Sequence, residues 1–387
     1  MSFKSLFSRA LSAAPGRLHF AAHSHHLWPD VSFEAQAQAW DDANRHADRK
    51  WELIFGEIIP EAKAHVAAEL NLSSADTVVF SPNTHDFLLR LFSGFEHRPV
   101  RILSTDGEFH SFRRQAARWE EAGQAVVTRV AVEPHEDFAE RFLTAAKAGG
   151  HDWIMVSQVF FRSGRAFAGL EELAALADPA GPWVLIDGYH GFMATPTDLS
   201  AVEDRLFYVA GGYKYAMSGE GLGLLHAPPG FCERPVSTGW FAEFGDLTAP
   251  PGGVGYTADA GRLWGATFEV TPFYRFNAVR RMLTAEGLGT AEIASHARGL
   301  MARFQQALVD GQAGAPGGAE ILNPVAGQDD RARFLALRHP DAARWQGALL
   351  AADVVTDVRD DVIRFGFGLY QDEADVEALI AACALLD

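Results

Sequence analysis

Residues 182–227 read PWVLIDGYHGFMATPTDLSAVEDRLFYVAGGYKYAMSGEGLGLLHA, a stretch with three apolar runs separated by glycine and polar residues. The runs are apolar at consecutive positions, which is typical of strands whose two faces are both covered. The stretch therefore predicts three strands of one buried sheet, over 182–188, 205–212 and 221–227.

Similar apolar runs alternate with helical patterns earlier in the chain. They predict four more strands, over 77–81, 101–106, 125–132 and 153–161. The segments between them predict helices over 85–95, 111–123, 136–150 and 170–181. Strands that alternate with helices are typical of α/β proteins. We predict an α/β fold with a mainly parallel seven-stranded sheet and helices on both of its faces.

The composition changes after about residue 230, where RPVSTGW and TAPPGGVGY predict a long irregular segment. Residues 276–387 then contain two long helical patterns, two predicted strands in RFLALRH and VIRFGFG, and a final helix. This pattern predicts a smaller α+β domain. We divide the chain into an N-terminal segment (1–50), a large domain (51–275) and a small C-terminal domain (276–387).

The composition also limits the function. The 387 residues are 48% hydrophobic and 21% charged, as in an ordinary folded protein. Lys and Arg number 33 against 50 Asp and Glu, and the net charge of −17 disfavours nucleic acid and anionic lipid as partners. No apolar run approaches the ~18 residues that span a membrane. Only two cysteines are present, Cys232 and Cys383, which fits a reducing compartment. We expect a cytoplasmic protein with a small-molecule substrate.

Ligands of open α/β sheets bind beyond the carboxyl ends of the strands, and three such ends carry suitable residues. Asp187 follows the apolar run WVLI, so it is predicted to be a buried anion that needs a cation. Lys214 lies between two tyrosines after paired glycines, and a desolvated lysine amine is a good nucleophile for a carbonyl carbon. Asn83 and Thr84 precede a predicted helix, where they are either a plain N-cap or part of a phosphate site.

Together these residues predict a site for pyridoxal phosphate. Lys214 would form the Schiff base with the cofactor, and Asp187 would pair with its pyridinium nitrogen. A fourth strand end, SQVFFRSG, places Ser157 where it could donate a hydrogen bond to the phosphate or to the phenolic oxygen.

The chain resembles the pyridoxal-phosphate enzymes of fold type I in the class V aminotransferase group, and within that group it is most similar to kynureninase. The resemblance extends from about residue 77 to the region of Tyr370. It rests on eight motifs in the family's order, namely the NT of SPNTHDFLLRL, EFHS, SQVFFRSG, DGYH, GYKY, GWFAEF, FEVTP and RFGFGLY.

The resemblance implies a role for each matching residue. The phosphate would be bound by Asn83, Thr84 and Tyr213. The ring would be held by Phe109 stacked on its face, by Asp187 at the pyridinium, by His190 near the phenolic oxygen and by Lys214. Trp240 and Thr271 would reach the phosphate edge from the partner subunit of a homodimer with shared active sites. Arg364 would bind the α-carboxylate of the substrate, and residues 1–50 would enter over the active site.

The resemblance implies kynureninase-like hydrolytic Cβ–Cγ cleavage, which yields alanine and an anthranilate-type product. The match departs from the family at Glu108, where an aspartate is usual, and at Thr271, where an asparagine is usual. An aminotransferase or lyase acting on another amino acid is the alternative. Cysteine desulfurases share some motifs, but this chain lacks a cysteine in a small-domain loop.

A metal hydrolase built on His23, His25 and His26 is a further alternative from another class of protein. The His-x-His-His spacing lacks the helical i, i+4 pattern of many zinc sites, and no second ligand group lies nearby in the sequence. We predict no metal, and the role of these histidines stays open at this point.

Overall fold

A computed structural model of the chain describes residues 2–246, 252–325 and 332–387. Its α-helices are α1 Ser8–Ser12, α2 Val31–His46, α3 Lys50–Leu53, α4 Ile59–Leu70, α5 Thr84–Ser93, α6 His110–Glu121, α7 Phe138–Lys147, α8 Leu170–Ala174, α9 Thr271–Ala285, α10 Thr290–Val309, α11 Ala342–Ala351 and α12 Glu373–Cys383. Its strands are β1 Leu18–His19, β2 Val78–Ser81, β3 Val100–Thr105, β4 Ala125–Val130, β5 Trp153–Ser157, β6 Trp183–Asp187, β7 Leu206–Gly211, β8 Gly223–His226, β9 Glu320–Ile321, β10 Phe334–Arg338, β11 Val354–Val355, β12 Asp357–Arg359 and β13 Val362–Gly366.

The seven predicted strands form one sheet, in the order β2-β8-β7-β6-β5-β3-β4. Every pair in it is parallel except those of β8, which runs antiparallel to both β2 and β7. Strands β2, β5, β7 and β8 are buried along their whole length, as consecutive apolar residues predict. The prediction of an α/β fold with a mainly parallel seven-stranded sheet is confirmed.

Two predicted elements are shorter than expected. The helical pattern over 170–181 forms a helix only at Leu170–Ala174. Prolines at 179 and 182 disfavour helical backbone at residues 178 and 181, so a helix cannot extend over the whole predicted range. The strand predicted over 153–161 ends at Ser157, and beyond it Val159 forms an isolated bridge with Ala166. The chain therefore turns at the carboxyl end of β5.

A second, four-stranded antiparallel sheet lies in the C-terminal part, in the order β12-β13-β10-β9. Its apolar core includes Phe304 and Phe365, whose ring centroids are 4.9 Å apart. The N-terminal segment is tied to this part of the fold, because β1 pairs in parallel with β11 and Phe20 is fully buried in the same core. None of the helices in the described ranges is long and apolar enough to cross a membrane.

Strand β8 passes very close to the turn that precedes α5. A Cβ atom on Gly223 would lie 2.6 Å from the backbone carbonyl carbon of Asn83, a distance that no real side chain tolerates. Because glycine at position 223 has no Cβ atom, the turn can lie this close to the sheet.

We predict that Gly223→Ala pushes the turn at Asn83 away from β8 and lowers the free energy of unfolding by about 1–3 kcal/mol. Chemical denaturation measures this loss. Gly56→Ala is the matched control, since Gly56 is exposed, lies in a helical segment and has open space around it. That control should be neutral or stabilising by up to ~1 kcal/mol. Equal losses in the two variants would contradict the prediction.

Candidate active site

A cavity of about 350 Å³ lies at the carboxyl ends of β5 and β6, and we call it the central cavity. Eight of the eleven predicted site residues line it, namely Asn83, Thr84, Phe109, Ser157, Asp187, His190, Tyr213 and Lys214. The other lining residues are His85, Leu88, Ser111, Phe112, Val159, Phe161 and Tyr189. Residues more than 100 positions apart in the sequence therefore surround one space, at the edge of the sheet where the strand order predicts a ligand.

Lys214 lies just after β7 and projects among aromatic rings. Its Nζ is 5.1 Å from the centroid of Tyr189 and 5.8 Å from that of Phe109, and it is hydrogen-bonded to Nε2 of His190. Burial, with a further contribution from Arg364, lowers the pKa of Lys214 to about 7. A large fraction of the amine is therefore uncharged near neutral pH, which is the form that attacks a carbonyl carbon.

His190 is buried against Lys214. Burial, followed by the charge of Lys214, lowers the pKa of His190 well below its ordinary value, so its imidazole is neutral. Its second ring nitrogen, Nδ1, has no hydrogen-bond partner among the described residues. A buried polar atom without a partner is costly, so Nδ1 of His190 is a candidate to gain a hydrogen bond when a ligand binds.

Asp187 ends β6 and lies beside Ser157 in the register of the sheet. Burial raises the pKa of its carboxyl group, although Lys214 acts in the opposite direction. Within the described parts of the chain, its one hydrogen bond comes from the N–H of Tyr189, at 2.9 Å. A carboxylate in this position lacks a full counter-charge, so a cationic ring nitrogen would be stabilised next to it.

The N-terminus of α5 forms one end of the cavity. The Asn83 side chain accepts a hydrogen bond from the N–H of Asp86 at 3.0 Å, so Asn83 is an N-cap. The first N–H groups of a helix have no partner within the helix, and Thr84 and His85 supply such groups at the cavity wall. The cap and a phosphate site are therefore compatible, because the cap uses only one of these donors.

These features fit pyridoxal phosphate. The uncharged amine of Lys214 suits its aldehyde, the carboxylate of Asp187 suits its ring nitrogen, and the start of α5 suits its phosphate. The aromatic ring of Phe109 borders the same space. The residues present can therefore hold the cofactor that the sequence predicts.

Ser157 has a partner that the sequence analysis did not foresee. Its hydroxyl donates to Oε2 of Glu108 at 2.5 Å and its backbone N–H donates to Oε1 at 3.2 Å, while Thr105 donates to Oε1 at 2.8 Å. The hydroxyl of Ser157 thus donates to Glu108 in this structure, and its predicted contact with the cofactor stays a prediction. Burial raises the pKa of fully buried Glu108 to about 7.

Arg364 lies on β13 and does not line the central cavity. Its guanidinium donates to the carbonyl oxygen of Phe161 and to the carboxylate of Asp357. Its Nε is buried and has no partner among the described residues. One edge of the guanidinium is therefore held by the protein, and Nε remains available to a ligand.

Trp240 and Thr271 also lie outside the central cavity of their own chain. Trp240 is 43% exposed and donates to Thr267 at 3.1 Å, and Thr271 begins α9 with its N–H 2.7 Å from Glu269. The role predicted for both residues concerns a second subunit, so it stays a prediction.

The three N-terminal histidines lie in different surroundings. His23 stacks on Phe334, His25 packs near Tyr213 and His26 contacts Tyr370. In the described ranges, no group of three or more His, Cys, Asp and Glu side chains is arranged to hold a metal ion.

Comparison with known families explains this set of residues. A family model described as aminotransferase class-V matches residues 41–313, which is more than two thirds of the chain. The chain belongs to the class-V aminotransferase family. A second model, described as the kynureninase C-terminal domain, matches residues 295–383 of this class-V enzyme. No curated protein sequence matches it.

Solved structures share the fold of the class-V enzyme at low sequence identity. A C-DES mutant with glycine covalently linked to its pyridoxal-phosphate cofactor has a TM-score of 0.79 at 17% identity, with 100% of both chains covered. The cysteine desulfurase CsdA from Escherichia coli has a TM-score of 0.79 at 18% identity, covering 98% of this chain and 96% of its own. A cysteine desulfurase from Thermococcus onnurineus NA1 has a TM-score of 0.77 at 17% identity, with 97% and 95% covered.

The solved structures confirm the predicted fold type I architecture. Membership of the class-V family confirms the predicted pyridoxal-phosphate cofactor. The protein is a pyridoxal-phosphate-dependent class-V enzyme that acts on an amino acid. Seven residues that line the cavity were not predicted from the sequence, and Tyr189 and Phe161 are the two with the clearest motif context. The first lies inside the DGYH motif and the second inside SQVFFRSG, so their neighbours in those motifs were the available signal.

We predict that the rate of covalent cofactor attachment to the apoprotein rises with pH through about 7 and then levels off. Only the uncharged amine of Lys214 reacts, and its pKa is lowered to about 7. Appearance of the visible band at a series of pH values measures the rate. In Lys214→Ala, borohydride treatment should leave no cofactor covalently attached to the protein. A wild-type rate that keeps rising tenfold per pH unit to pH 10 would contradict the lowered pKa.

We predict that Glu108→Gln becomes more stable relative to the wild type as pH rises from 5 to 8. Between its ordinary pKa of 4.5 and about 7, folded Glu108 keeps a proton that the unfolded chain releases, so wild-type stability falls across this window. The variant lacks this titration. The difference in unfolding free energy should shift by roughly 1–3 kcal/mol, as urea denaturation at each pH would show. A constant difference would contradict the prediction.

Proposed function

We propose that this class-V enzyme hydrolyses the Cβ–Cγ bond of a kynurenine-type amino acid and releases alanine and an anthranilate-type product. The observation that carries the proposal is the match of residues 295–383 to the kynureninase C-terminal domain. That region contains Arg364 and the strand partners that hold it. The substrate side of the site is therefore built by the segment that resembles kynureninase.

The residues of the central cavity suit the first proton transfer. Pyridoxal phosphate, when bound, supplies an electron sink for negative charge at the α-carbon of the substrate. The amine of Lys214, with its pKa lowered to about 7, could take the α-proton of the substrate and return it. Neutral His190, hydrogen-bonded to Nζ of Lys214, holds that amine in place.

The aromatic walls suit an aryl ketone as the substrate side chain. Phe161 and Phe109 meet edge to face with centroids 5.5 Å apart, and both line the central cavity. An aryl group placed against Phe161 would gain the packing energy typical of aromatic pairs. The carbonyl oxygen of Phe161 also accepts a hydrogen bond from Arg364, so the same residue borders the predicted carboxylate site.

Hydrolysis also requires water at the γ-ketone. The central cavity shares His85 and Ser111 with a wide polar groove of about 950 Å³, which is also lined by Arg113, Arg114 and Arg118. This groove supports a route for solvent to the cavity. Its arginines would also attract the carboxylate group of the substrate to a protein whose net charge is −17.

The two cysteines argue against sulfur transfer through a cysteine nucleophile. Cys232 and Cys383 are both free and buried, and burial raises the pKa of each thiol to about 12. A thiol in this state is protonated and inert at neutral pH. Transamination and other lyase reactions use the same cofactor contacts, so product analysis must separate them from hydrolysis.

The proposed reaction is tested by incubating the holoenzyme with kynurenine, with 3-hydroxykynurenine, and with an amino acid plus a 2-oxo acid. We expect anthranilate-type product and alanine in equal amounts from the first two substrates, and none with Lys214→Ala. Amino-group exchange without an aromatic amine product would identify an aminotransferase and overturn the hydrolase proposal.

We predict that Arg364→Ala raises the KM for the cleaved substrate by about 10- to 100-fold, because a charge-assisted contact to the α-carboxylate contributes about 1.5–3 kcal/mol. Cofactor affinity, followed by the visible band, should change little. Arg303→Ala is the matched control, since Arg303 also pairs with a carboxylate, that of Glu377, and lies outside the Asp357 cluster, so its KM should stay unchanged. A similar loss of cofactor and substrate affinity in Arg364→Ala would show that the assigned role is wrong.

A further inference from the structure

His23 is a buried histidine with no role in the function proposed above. Its side chain has no exposed surface, and neither ring nitrogen has a hydrogen-bond partner among the described residues. Burial, with the nearby charge of Arg364, holds the pKa of His23 well below its ordinary value, so the ring is neutral with one N–H donor. A fully buried N–H donor without a hydrogen-bond partner is unfavourable, which indicates that the ring of His23 gains a partner during function.

The fold holds this imidazole in a defined place. The N-terminal segment joins the edge of β13 through a bridge between Ala21 and Gly366, and the N–H of Gly366 donates to the carbonyl oxygen of Phe20 at 2.7 Å. The ring of His23 occupies the space that a side chain at position 366 would take, since a Cβ there would lie 2.2 Å from Nδ1. Nδ1 therefore faces β13, two residues beyond Arg364.

The other ring nitrogen faces the partner of Arg364. Nε2 of His23 lies 3.8 Å from Oδ2 of Asp357, the same oxygen that accepts from Arg364. A typical hydrogen bond between nitrogen and oxygen is about 2.9 Å long, so a movement of roughly 1 Å would let Nε2 donate to Oδ2. Oδ1 of Asp357 is already held by Arg359 at 2.6 Å. Phe334 packs against His23 at 4.6 Å and lies 5.6 Å from the guanidinium of Arg364, which keeps the groups together.

The Asp357 carboxylate presents a problem for substrate binding. A substrate carboxylate that binds Arg364 through both Nε and Nη2 must share Nη2 with Asp357, and a buried charge that loses its partner is strongly unfavourable. A donor placed within a small movement of Oδ2 would remove that cost. His23 is the neutral donor in this position.

We propose that His23 is a positioning residue for carboxylate binding, which takes over Oδ2 of Asp357 when a ligand carboxylate binds Arg364. Arg359 keeps its contact with Oδ1 throughout. The exchange leaves Asp357 with two donors and frees the guanidinium of Arg364 for the ligand. This inference rests on the role proposed for Arg364, but it requires no particular bond to be cleaved.

The test compares two ligands of the holoenzyme, L-alanine and ethylamine, which differ by the carboxylate. Their dissociation constants are read from the change in the visible band and by calorimetry. We expect His23→Leu to weaken alanine binding about tenfold, as for loss of a hydrogen bond to a charged group, and to change ethylamine binding less than twofold. An equal loss for both ligands would overturn the proposal.

A double variant separates this role from a merely structural one. Asp357→Asn removes the charge that needs a new partner, so adding His23→Leu to it should cost alanine binding less than twofold. A full tenfold loss in the Asn background, meaning that the two effects add, would overturn the proposal. Thermal unfolding of each variant verifies that the compared proteins are folded.

His26→Leu is the control for a buried histidine in the same segment. His26 is also fully buried, but it packs against Phe7 and Tyr370 and lies outside the Asp357 cluster. Its loss should lower the Tm without changing the ratio of alanine to ethylamine affinity, and an equal change in that ratio would overturn the proposal. If alanine binding follows these expectations while kynurenine is not cleaved, the proposed reaction fails and the role of His23 stands.

Discussion

The active site depends on the burial of the Lys214 amine at the carboxyl edge of the large sheet. Burial stabilises the uncharged amine and brings its pKa to about 7, and the neutral imidazole of His190 is hydrogen-bonded to its Nζ. The same burial leaves Asp187 as a carboxylate that lacks a full counter-charge. A cofactor with an aldehyde and a ring nitrogen satisfies both groups at once, so the chemistry of the site follows from one desolvated edge.

The substrate side of the site is organised by different elements. Arg364 lies on β13 of the small sheet, where it is anchored by Asp357 and by the carbonyl oxygen of Phe161 from the segment after β5. The N-terminal segment reaches the same strand through the bridge between Ala21 and Gly366. Three parts of the chain thus meet at the predicted carboxylate site, and its charge balance is shared among groups that are far apart in sequence.

The sequence predicted the large sheet well because each strand carries its own signal. Runs such as WVLI and LFYVA are apolar at consecutive positions, a pattern typical of strands buried on both faces. The cofactor residues were predictable because the short motifs containing Asp187 and Lys214 end or follow those strands. The helix predicted over 170–181 was too long, because the prediction followed the helical spacing of the apolar residues and gave too little weight to the prolines at 179 and 182.

The sequence by itself determined the fold class, the family, and the amine, carboxylate and helix N-terminus that suit the cofactor, because these depend on local patterns and on motifs in a given order. Only the tertiary structure showed that Ser157 is engaged by Glu108, that Asp357 holds Arg364, and that His23 lies beside that pair. These contacts join residues 7 to 334 positions apart. Their partners are chosen by packing and by the need to satisfy buried polar groups, and neither leaves a trace in local sequence spacing.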